Sequence, residues 1–414
     1  MPQTNWAGNV VFGAARMLRP ESVAELRRQV AGNAAVRALG TGHSFSPVAD
    51  TAGALISLDG LPRTARIDAG TRTVTATAAI RYGELAARLD AGGYALPNLA
   101  SLPHISVAGA CATGTHGSGD ANRALASAVS ALEMVTADGE PVTVGRDTDA
   151  EFPGMVTALG ALGIVTSVTL DLLPAFTMRQ WVYQDLPRRR LTAHFDEIFA
   201  SGYSVSVFTD WRPPYTCTVW RKQLADGTGA PPRRWLDARL ADAPVNPVPG
   251  MAAAHTTAQL GVPGPWYERL PHFRAGYTPS SGDELQSEYL VPRELAVDAL
   301  TALEPIAAQI AAVLRIAEIR TIAGDDLWLS PCYQRDSAGF HFTWHQDTAP
   351  VIAVLEAIEE RLAPFAARPH WGKLFVMPRS EVRSRYPRLP DFERLVARFD
   401  PAGKFGNAFT VRYL

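Results

Sequence analysis

Hydrophobic positions in the first 175 residues follow two different spacings. Apolar residues three or four positions apart predict helices over 19–31 and 81–93, the first with a Ser22-x-x-Glu25 capping box. Alternating or continuous apolar runs predict strands at 36–40, 54–58 and 73–80, a hairpin at Asp138-Gly139 and a long strand that ends at Pro174. Because short strands and helices mix without a regular alternation, this half predicts an α+β fold.

The second half of the chain has a different pattern. Residues 223–266 are rich in Pro, Gly and Ala and predict long ordered loops. Beyond them, the apolar pattern predicts strands at 285–292, 313–323 and 339–345 and helices at 293–314 and 351–366. This order of elements predicts a sheet with helices packed against it.

Length and charge limit the classes of protein that fit these elements. A chain of 414 residues is too long for one ordinary core, so we expect two domains, with a boundary near 176 where the pattern changes. The formal net charge is −2 and the basic residues are scattered, which argues against a nucleic-acid partner. The short arginine runs at 188–190 and 233–234 are expected to be solvated surface.

Cysteine content and hydropathy bear on the compartment. The three dispersed cysteines, Cys111, Cys217 and Cys332, predict neither a disulfide framework nor a zinc site. The N-terminal sequence lacks the features of a signal peptide, and no segment approaches the roughly 20 apolar residues that span a bilayer. We therefore expect a cytoplasmic protein with no membrane partner, and a monomer.

Two loops of small residues carry the strongest signal for a ligand. They are GTGHSFS at 40–46 and SLPHISVAGACATGTHGSG at 101–119. Such loops expose backbone N–H groups and hydroxyls that can hold a pyrophosphate without cationic side chains. The G-x-G-x-x-G fingerprint of Rossmann dehydrogenases is missing, because GTHGSG has the wrong order and no amphipathic helix after it. One such loop would be an ordinary turn, but two of them, each with a histidine, favour a phosphate-bearing ligand.

A metal site is another interpretation of the histidines in these loops, which are His43, His104 and His116. Their spacing matches no metal-binding motif, and no carboxylate cluster accompanies them in the sequence. We therefore expect no metal, and a metallohydrolase is the weaker hypothesis.

Polar residues in two predicted strands indicate where a substrate would bind. Glu318 and Arg320 share one strand face because faces alternate with a period of two, and His341 and Thr343 do the same. Two interpretations explain both pairs equally well. One is a solvated outer face, and the other is a polar pocket on a half-buried sheet. The sequence leaves these two interpretations open.

Lysine is rare in this chain, and one lysine has unusual surroundings. The only lysines are Lys222, Lys373 and Lys404, and Lys373 lies in the aromatic segment RPHWGKLF. Lysine, unlike arginine, loses its proton readily when it is desolvated or placed beside another cation. A general base needs that property. The alternative is a lysine that extends from an aromatic patch into solvent.

The segments LGTGHSFS, LPNLASLPHISVAGACATGTHGSG, HWGK and DPAGKFGNAF together resemble the alditol (xylitol) oxidases. These belong to the vanillyl-alcohol-oxidase-type flavoproteins and are related to the sugar-lactone oxidases. The similarity spans almost the whole chain, including NWAGN, FTDWR and GVPGPWYERLPHFR. It implies an FAD-binding domain of two α+β subdomains over 1–176, a cap domain over 177–375 with a sheet flanked by helices, and a C-terminal segment, 376–414, that returns to the FAD-binding domain.

The resemblance also implies how the cofactor is held. His43 occupies the position at which covalent members bind the 8α-methyl group of FAD, and a neutral imidazole nitrogen is a competent nucleophile. Further cofactor-binding residues are implied at Gly40, Thr41, Gly42, Ser44, Phe45, Ser106, Gly109, Thr113, Gly114, Thr115, His116, Gly117, Gly163, Ile164, Val165 and Asn407.

The implied activity is oxidation of a terminal primary alcohol of a polyol to the aldose, with O2 reduced to hydrogen peroxide. Residues implied around the polyol are Ser106, Glu318, Arg320, His341, Thr343 and Lys373. Of these, Lys373 and Arg320 are the catalytic pair, with Lys373 accepting or orienting the hydroxyl proton while hydride passes to the flavin. An aldonolactone oxidase or dehydrogenase on the same scaffold is the main alternative, and a flavoprotein without enzymatic activity is another.

Overall fold

A computed structural model describes residues 3–226, 229–277 and 282–414. The N-terminal part contains a parallel three-stranded sheet, in the order Arg16–Leu18, Ala54–Ser57 and Val36–Leu39. The helix Val23–Ala31 begins at Ser22, whose Oγ accepts a hydrogen bond from Glu25 N at 3.2 Å. The Glu25 carboxylate accepts from Glu21 N rather than from Ser22 N, so only half of the predicted capping box forms.

An antiparallel five-stranded sheet follows, in the order Ala65–Asp68, Thr73–Thr77, Ile164–Asp171, Val129–Val135 and Pro141–Gly145. The predicted hairpin joins the last two of these strands in this order, with Gly139 at φ +86° in the loop. Helices in this part are Tyr82–Ala91, Val107–Ala112 and Phe152–Val156, and a two-residue ribbon pairs Tyr94–Ala95 with Leu173–Pro174. These elements confirm the α+β prediction for this half.

The second half is organised around an antiparallel sheet, which in the described chain has ten strands. Its order is Arg234–Trp235, Ala238–Leu240, Thr177–Pro187, Thr216–Leu224, Ser204–Thr209, Leu314–Ile322, Ser337–His345, Glu284–Pro292 and Arg368–Pro369, and Gly264–Pro265 also pairs with Thr177–Pro187. The helices Arg188–Ala193, Phe195–Phe199, Ala296–Ala302, Ala307–Val313 and Thr348–Leu362 contribute buried residues to its main core. The predicted sheet with packed helices is confirmed.

The C-terminal helices, Arg379–Arg385, Leu389–Phe399 and Ala408–Tyr413, pack mainly into the core of the first half. Phe392 and Leu395 are buried there, and Arg37 Nη1 donates a hydrogen bond to Phe405 O at 2.7 Å. The C-terminal segment therefore contacts the N-terminal part of the chain. The domain boundaries themselves stay predictions.

Two local predictions were wrong. The segment 101–119 is not one loop, because Val107–Ala112 is helical; its small residues have no apolar period that would reveal a helix. The helix predicted at 293–314 is divided into Ala296–Ala302 and Ala307–Val313, with 3-10 turns at Arg293–Leu295 and Glu304–Ile306. Pro305 lies between the two helices and has no N–H to continue the first.

The stretch Arg293–Val313 corrects the expectation that no segment is long and apolar enough to span a bilayer. By length and composition alone it is one helical stretch that could cross a membrane. In the structure Leu300, Leu303 and Ile310 are buried in the core of the second half. An apolar helix face that packs against a sheet explains the composition.

Candidate active site

A cavity with a volume of about 320 Å³ brings the predicted motifs together. Its wall includes the loop 40–46, much of the segment 101–116, and the strands Glu284–Pro292, Leu314–Ile322 and Ser337–His345. The predicted site residues in this wall are Gly40, Thr41, Gly42, His43, Ser44, Phe45, Ser106, Gly109, Thr113, Thr115, His116, Gly163, Val165, Glu318, Arg320, His341, Thr343 and Lys373. Residues from both halves of the chain therefore face one space.

The two glycine-rich segments meet closely around Ser106. A Cβ atom added at Gly40 would lie 2.4 Å from Ser106 Oγ, and one added at Gly109 would lie 2.8 Å from the same atom. The first loop is also tied to the HWGK segment, because Phe45 N donates to Gly372 O at 2.7 Å. Glycine is needed here to let two backbones approach the same hydroxyl group, and this keeps the cavity wall free of side chains at these two positions.

His43 faces the cavity from the first loop. Neither of its ring nitrogens, which are both buried, has a hydrogen-bond partner among the described residues. The ring contacts both Trp6, at a centroid distance of 4.2 Å, and His104, at 4.7 Å. Burial lowers the pKa of His43 to about 3, with smaller contributions from His104 and Lys373. His43 is therefore a neutral imidazole whose unprotonated ring nitrogen is available to react, which fits a site for FAD attachment.

Two of the predicted cofactor glycines, Gly114 and Gly117, do not line the cavity. Gly114 adopts φ +70°, and a Cβ there would lie 3.0 Å from Pro331 Cδ. A Cβ at Gly117 would lie 2.5 Å from Asn98 Oδ1 and from Leu99 O. Both glycines are explained by close packing against other segments of the chain, so the geometry does not support direct cofactor contact for either.

Ile164 and Asn407 also lie off the cavity wall. Ile164 pairs with Val135 in the five-stranded sheet and is buried in a core cluster. Asn407 caps the last helix and donates through Nδ2 to Val48 O at 3.0 Å and to Asp50 O at 2.8 Å. The geometry gives Asn407 a structural role beside the cavity rather than a place in it.

The polar strand residues share one buried face. Glu318 and His341 are direct partners in the antiparallel register, and Arg320 and Thr343 follow at the next positions on the same side. Glu318 is 4% exposed, Arg320 5%, and His341 and Thr343 8% each. The alternative of a solvated outer face is therefore wrong, and these side chains form a polar pocket on one buried face of the sheet.

Glu288 is the centre of this pocket and is absent from the residues predicted from sequence. Its Oε1 lies 2.6 Å from Arg320 Nη2, and its Oε2 lies 2.6 Å from Lys373 Nζ. Burial raises the pKa of Glu288, but Arg320, Lys373 and His116 together hold it well below the ordinary value. Glu288 is thus an ionised carboxylate that holds both predicted catalytic cations in place.

A signal for Glu288 was present in the strand ELQSEYLVP. Glu284, Gln286 and Glu288 alternate with buried neighbours, and all three line the cavity. Polar residues at every second position of an otherwise apolar strand place one polar face toward a shared space. The two-residue period therefore indicates these residues in the same way as Glu318 and Arg320.

Lys373 makes a second contact that defines its chemistry. Its Nζ lies 2.7 Å from His341 Nδ1, and His341 Nε2 lies 3.1 Å from Thr343 Oγ1. Burial and Lys373 hold the pKa of His341 well below the ordinary value, so the ring is neutral and Nδ1 accepts from Lys373. Burial lowers the pKa of Lys373, Glu288 raises it and Arg320 lowers it further. The net shift is downward, as a general base requires.

Histidines elsewhere in the pocket do not form the trio considered from sequence. The structure pairs His43 with His104 and places His116 beside His370, at a ring distance of 5.9 Å. His116, His370 and Glu288 have ligand atoms within 4.8 Å of one another. Glu288 already neutralises two cations, so a metal ion there would be repelled by both. The donor set therefore fits a metal poorly.

Comparison with known proteins places this site in a family. Two protein families match parts of this chain. The FAD binding domain family matches residues 14–145, and the D-arabinono-1,4-lactone oxidase family matches residues 283–413. Alditol oxidase from Streptomyces sp. (strain IKD472 / FERM P-14339) is 50% identical over 409 residues, which are 98% of this chain and 97% of that protein. The chain belongs to the alditol oxidase family. It has an FAD-binding domain, as the resemblance implied.

More distant relatives of the family follow. L-gulono-1,4-lactone dehydrogenase from Mycobacterium tuberculosis is 28% identical over 99% of this chain and 98% of that protein. The solved structure of cholesterol oxidase from B. sterolicum superposes with a TM-score of 0.80 at 16% identity, covering 100% of this chain and 96% of that chain. A solvent-stable cholesterol oxidase gives a TM-score of 0.81, also at 16% identity, over 100% and 97%. These structures confirm the fold of the vanillyl-alcohol-oxidase type.

Proposed function

We propose that this protein is an FAD-dependent oxidase that converts the terminal primary alcohol of sugar alcohols such as xylitol and sorbitol to the aldose. O2 is reduced to hydrogen peroxide. The observation that carries the proposal is the buried network of Glu288, Arg320 and Lys373 in the same cavity wall as His43. The full-length similarity to an alditol oxidase supports it.

The cofactor would be held by the glycine-rich segments and attached through His43. Gly40 and Gly109 keep the wall around Ser106 free of side chains, and the neutral His43 ring offers nitrogens without a partner in the described chain. FAD, when bound, supplies the acceptor for the hydride that leaves the alcohol carbon. A covalent bond to His43 would keep the cofactor in place through every turnover.

The polar pocket would recognise the remaining hydroxyl groups of the substrate. Glu318, His341 and Thr343 are buried and line the cavity together with Ser106. A polyol supplies hydroxyls that pair with these groups, whereas an alkyl alcohol leaves them unpaired at a cost of about 1–3 kcal/mol each. The pocket therefore favours polyols over simple alcohols.

Proton removal from the reacting hydroxyl falls to Lys373. Its amine has a lowered pKa and lies against Glu288 and His341, which fix its direction. Arg320, bound to Glu288, adds a permanent positive charge that favours the alcohol oxygen as it loses its proton. Together these residues orient the alcohol for transfer of its hydride.

Oxidation of an aldonolactone is the second candidate. The match to D-arabinono-1,4-lactone oxidase covers residues 283–413, which include Glu288, Glu318, Arg320 and Lys373. Because lactones and polyols present similar hydroxyl groups, the pocket chemistry alone does not separate them.

The visible spectrum of the purified protein separates these functions. Under anaerobic conditions xylitol should bleach the flavin, and admission of air should restore the colour with one hydrogen peroxide formed for each polyol oxidised. Bleaching by a sugar lactone alone, with turnover only with a dye acceptor, would favour the second candidate. A flavin that no polyol or lactone bleaches would show a flavoprotein without this activity.

A further inference from the structure

Lys222, one of the three lysines of the chain, is buried behind the polar pocket. It lies in the strand Thr216–Leu224 and is 1% exposed. Its Nζ lies 3.2 Å from His272 Nδ1 and also donates to Leu270 O. An amine is costly to bury, and this one is held by two acceptors, neither of which is a carboxylate.

His272 connects this lysine to the pocket. Its Nε2 lies 3.0 Å from Glu318 Oε1, on the opposite side of the ring from Nδ1. The ring is 4% exposed and is held edge to face by Phe208, at 5.2 Å, and Trp220, at 5.4 Å. The aromatic contacts fix the plane of the imidazole. Hydrogen bonds therefore connect Lys222, His272 and Glu318 in one fixed arrangement.

The protonation of His272 follows from its neighbours. Burial, with Lys222 adding, lowers the pKa of His272 to about 4, so the ring carries one proton. Lys222 donates to Nδ1 whether it is an ammonium or an amine, since both forms have N–H bonds. The ring proton therefore lies on Nε2 and is donated to Glu318. Ser206 Oγ, at 3.4 Å from Nε2, is a more distant partner.

The hydrogen bonds from Lys222 through His272 to Glu318 leave one oxygen of Glu318 for the substrate. In the described part of the chain, the contacts of Glu318 with His272 and with Arg320 Nε, at 3.7 Å, both use Oε1. We propose that Lys222 and His272 are positioning residues for polyol binding, which hold Glu318 so that Oε2 accepts a hydrogen bond from a substrate hydroxyl. This inference rests on the proposed polyol oxidation and adds two residues that act on the substrate through Glu318.

Charge on Lys222 links polyol binding to pH. Burial lowers the pKa of Lys222 to about 7, with Glu318 opposing and Arg320 adding to the shift. Two further charged or titratable groups act on these three residues. They are Arg320, on the same strand as Glu318, and His341, on the next strand. When Lys222 loses its proton, less positive charge offsets Glu318, and the carboxylate becomes a stronger acceptor. Polyol binding should therefore tighten as the pH rises through about 7.

Anaerobic flavin reduction by xylitol, followed at several concentrations, tests the positioning role through the apparent Kd and the limiting rate. His272→Leu should raise Kd about tenfold, the loss of one buried hydrogen bond, and change the limiting rate less than threefold. His272→Gln keeps an N–H group for Glu318 and should recover most of the affinity. An unchanged Kd in His272→Leu, or no recovery in His272→Gln, would overturn the proposal.

The pH series tests Lys222 and does not depend on the histidine variants. In the unmodified protein Kd should fall between pH 6 and 8, and in Lys222→Arg, which keeps its charge, Kd should not change with pH over this range. A Kd independent of pH in the unmodified protein, or an unaltered pH dependence in Lys222→Arg with full flavin content, would overturn the proposal. If xylitol fails to reduce the unmodified protein, the proposed function is wrong instead.

Discussion

Lys373 Nζ lies 2.6 Å from Glu288 Oε2, so the proposed base is held by an ionised carboxylate in the cavity wall. This contact has two opposing effects. It directs the amine, and it raises the pKa of a lysine that burial and Arg320 lower. The affinity of Lys373 for its proton is therefore set first by burial, with Glu288 opposing that effect and Arg320 adding to it.

Removal of the Glu288 charge should shift the pH dependence of flavin reduction. A base acts in its deprotonated form, so the limiting rate with xylitol should rise with pH and level off above the pKa of Lys373. In Glu288→Gln the pKa of Lys373 should fall, and the rise should occur at lower pH. Rapid anaerobic mixing across a pH series measures this shift. A shift to higher pH would contradict the assignment.

Replacement of Lys373 should abolish most of the chemistry. Lys373→Met keeps the length of the side chain but removes the base, so the limiting rate of flavin reduction should fall by about 10²–10⁴-fold. The protein should still be yellow, because Lys373 does not hold the cofactor in this proposal. Near-normal reduction by xylitol would exclude Lys373 as the base.

Lys404 provides the matched control for this substitution. Its Nζ donates to Val30 O at 2.9 Å, at the end of the helix Val23–Ala31, and it does not line the cavity. Lys404→Met should lower the free energy of unfolding by about 0.5–2 kcal/mol through this lost contact, with an unchanged limiting rate of reduction.

His43 should be required for covalent attachment of the flavin. After acid precipitation, the flavin of the unmodified protein should remain with the pellet, whereas His43→Ala should release it into the supernatant. His104→Ala is the matched control, because its ring lies 4.7 Å from His43 but His104 does not line the cavity. That variant should retain bound flavin. Release of flavin from the unmodified protein would show that no covalent bond forms.

The site residues that could be predicted from sequence are those whose signal is local. Glu318, Arg320, His341 and Thr343 share a face because of the two-residue period, and that period needs only the strand itself. Glu288 has the same period, but its importance depends on the order of the strands Leu314–Ile322, Ser337–His345 and Glu284–Pro292. The sequence of a single strand does not show which other strands will pair beside it.

Glycines show a second limit of prediction. Gly109 and Gly117 look alike in the sequence, since both answer a need for close backbone approach. The structure shows that Gly109 borders the cavity at Ser106, whereas Gly117 packs against Asn98. A glycine signals that something lies close, and only the fold shows whether that neighbour is the protein itself.

Asn407 tests this distinction at the C-terminus, where the resemblance implied a cofactor contact and the structure shows a helix cap. Asn407→Ala removes the capping box with Thr410 and the bonds to Val48 O and Asp50 O, so the free energy of unfolding should fall by about 1–3 kcal/mol. Asn407→Ser restores the cap acceptor alone and should lose less. Denaturant unfolding measures both, and the flavin content of each folded variant should match the unmodified protein. Lost flavin at unchanged stability would instead place Asn407 against the cofactor.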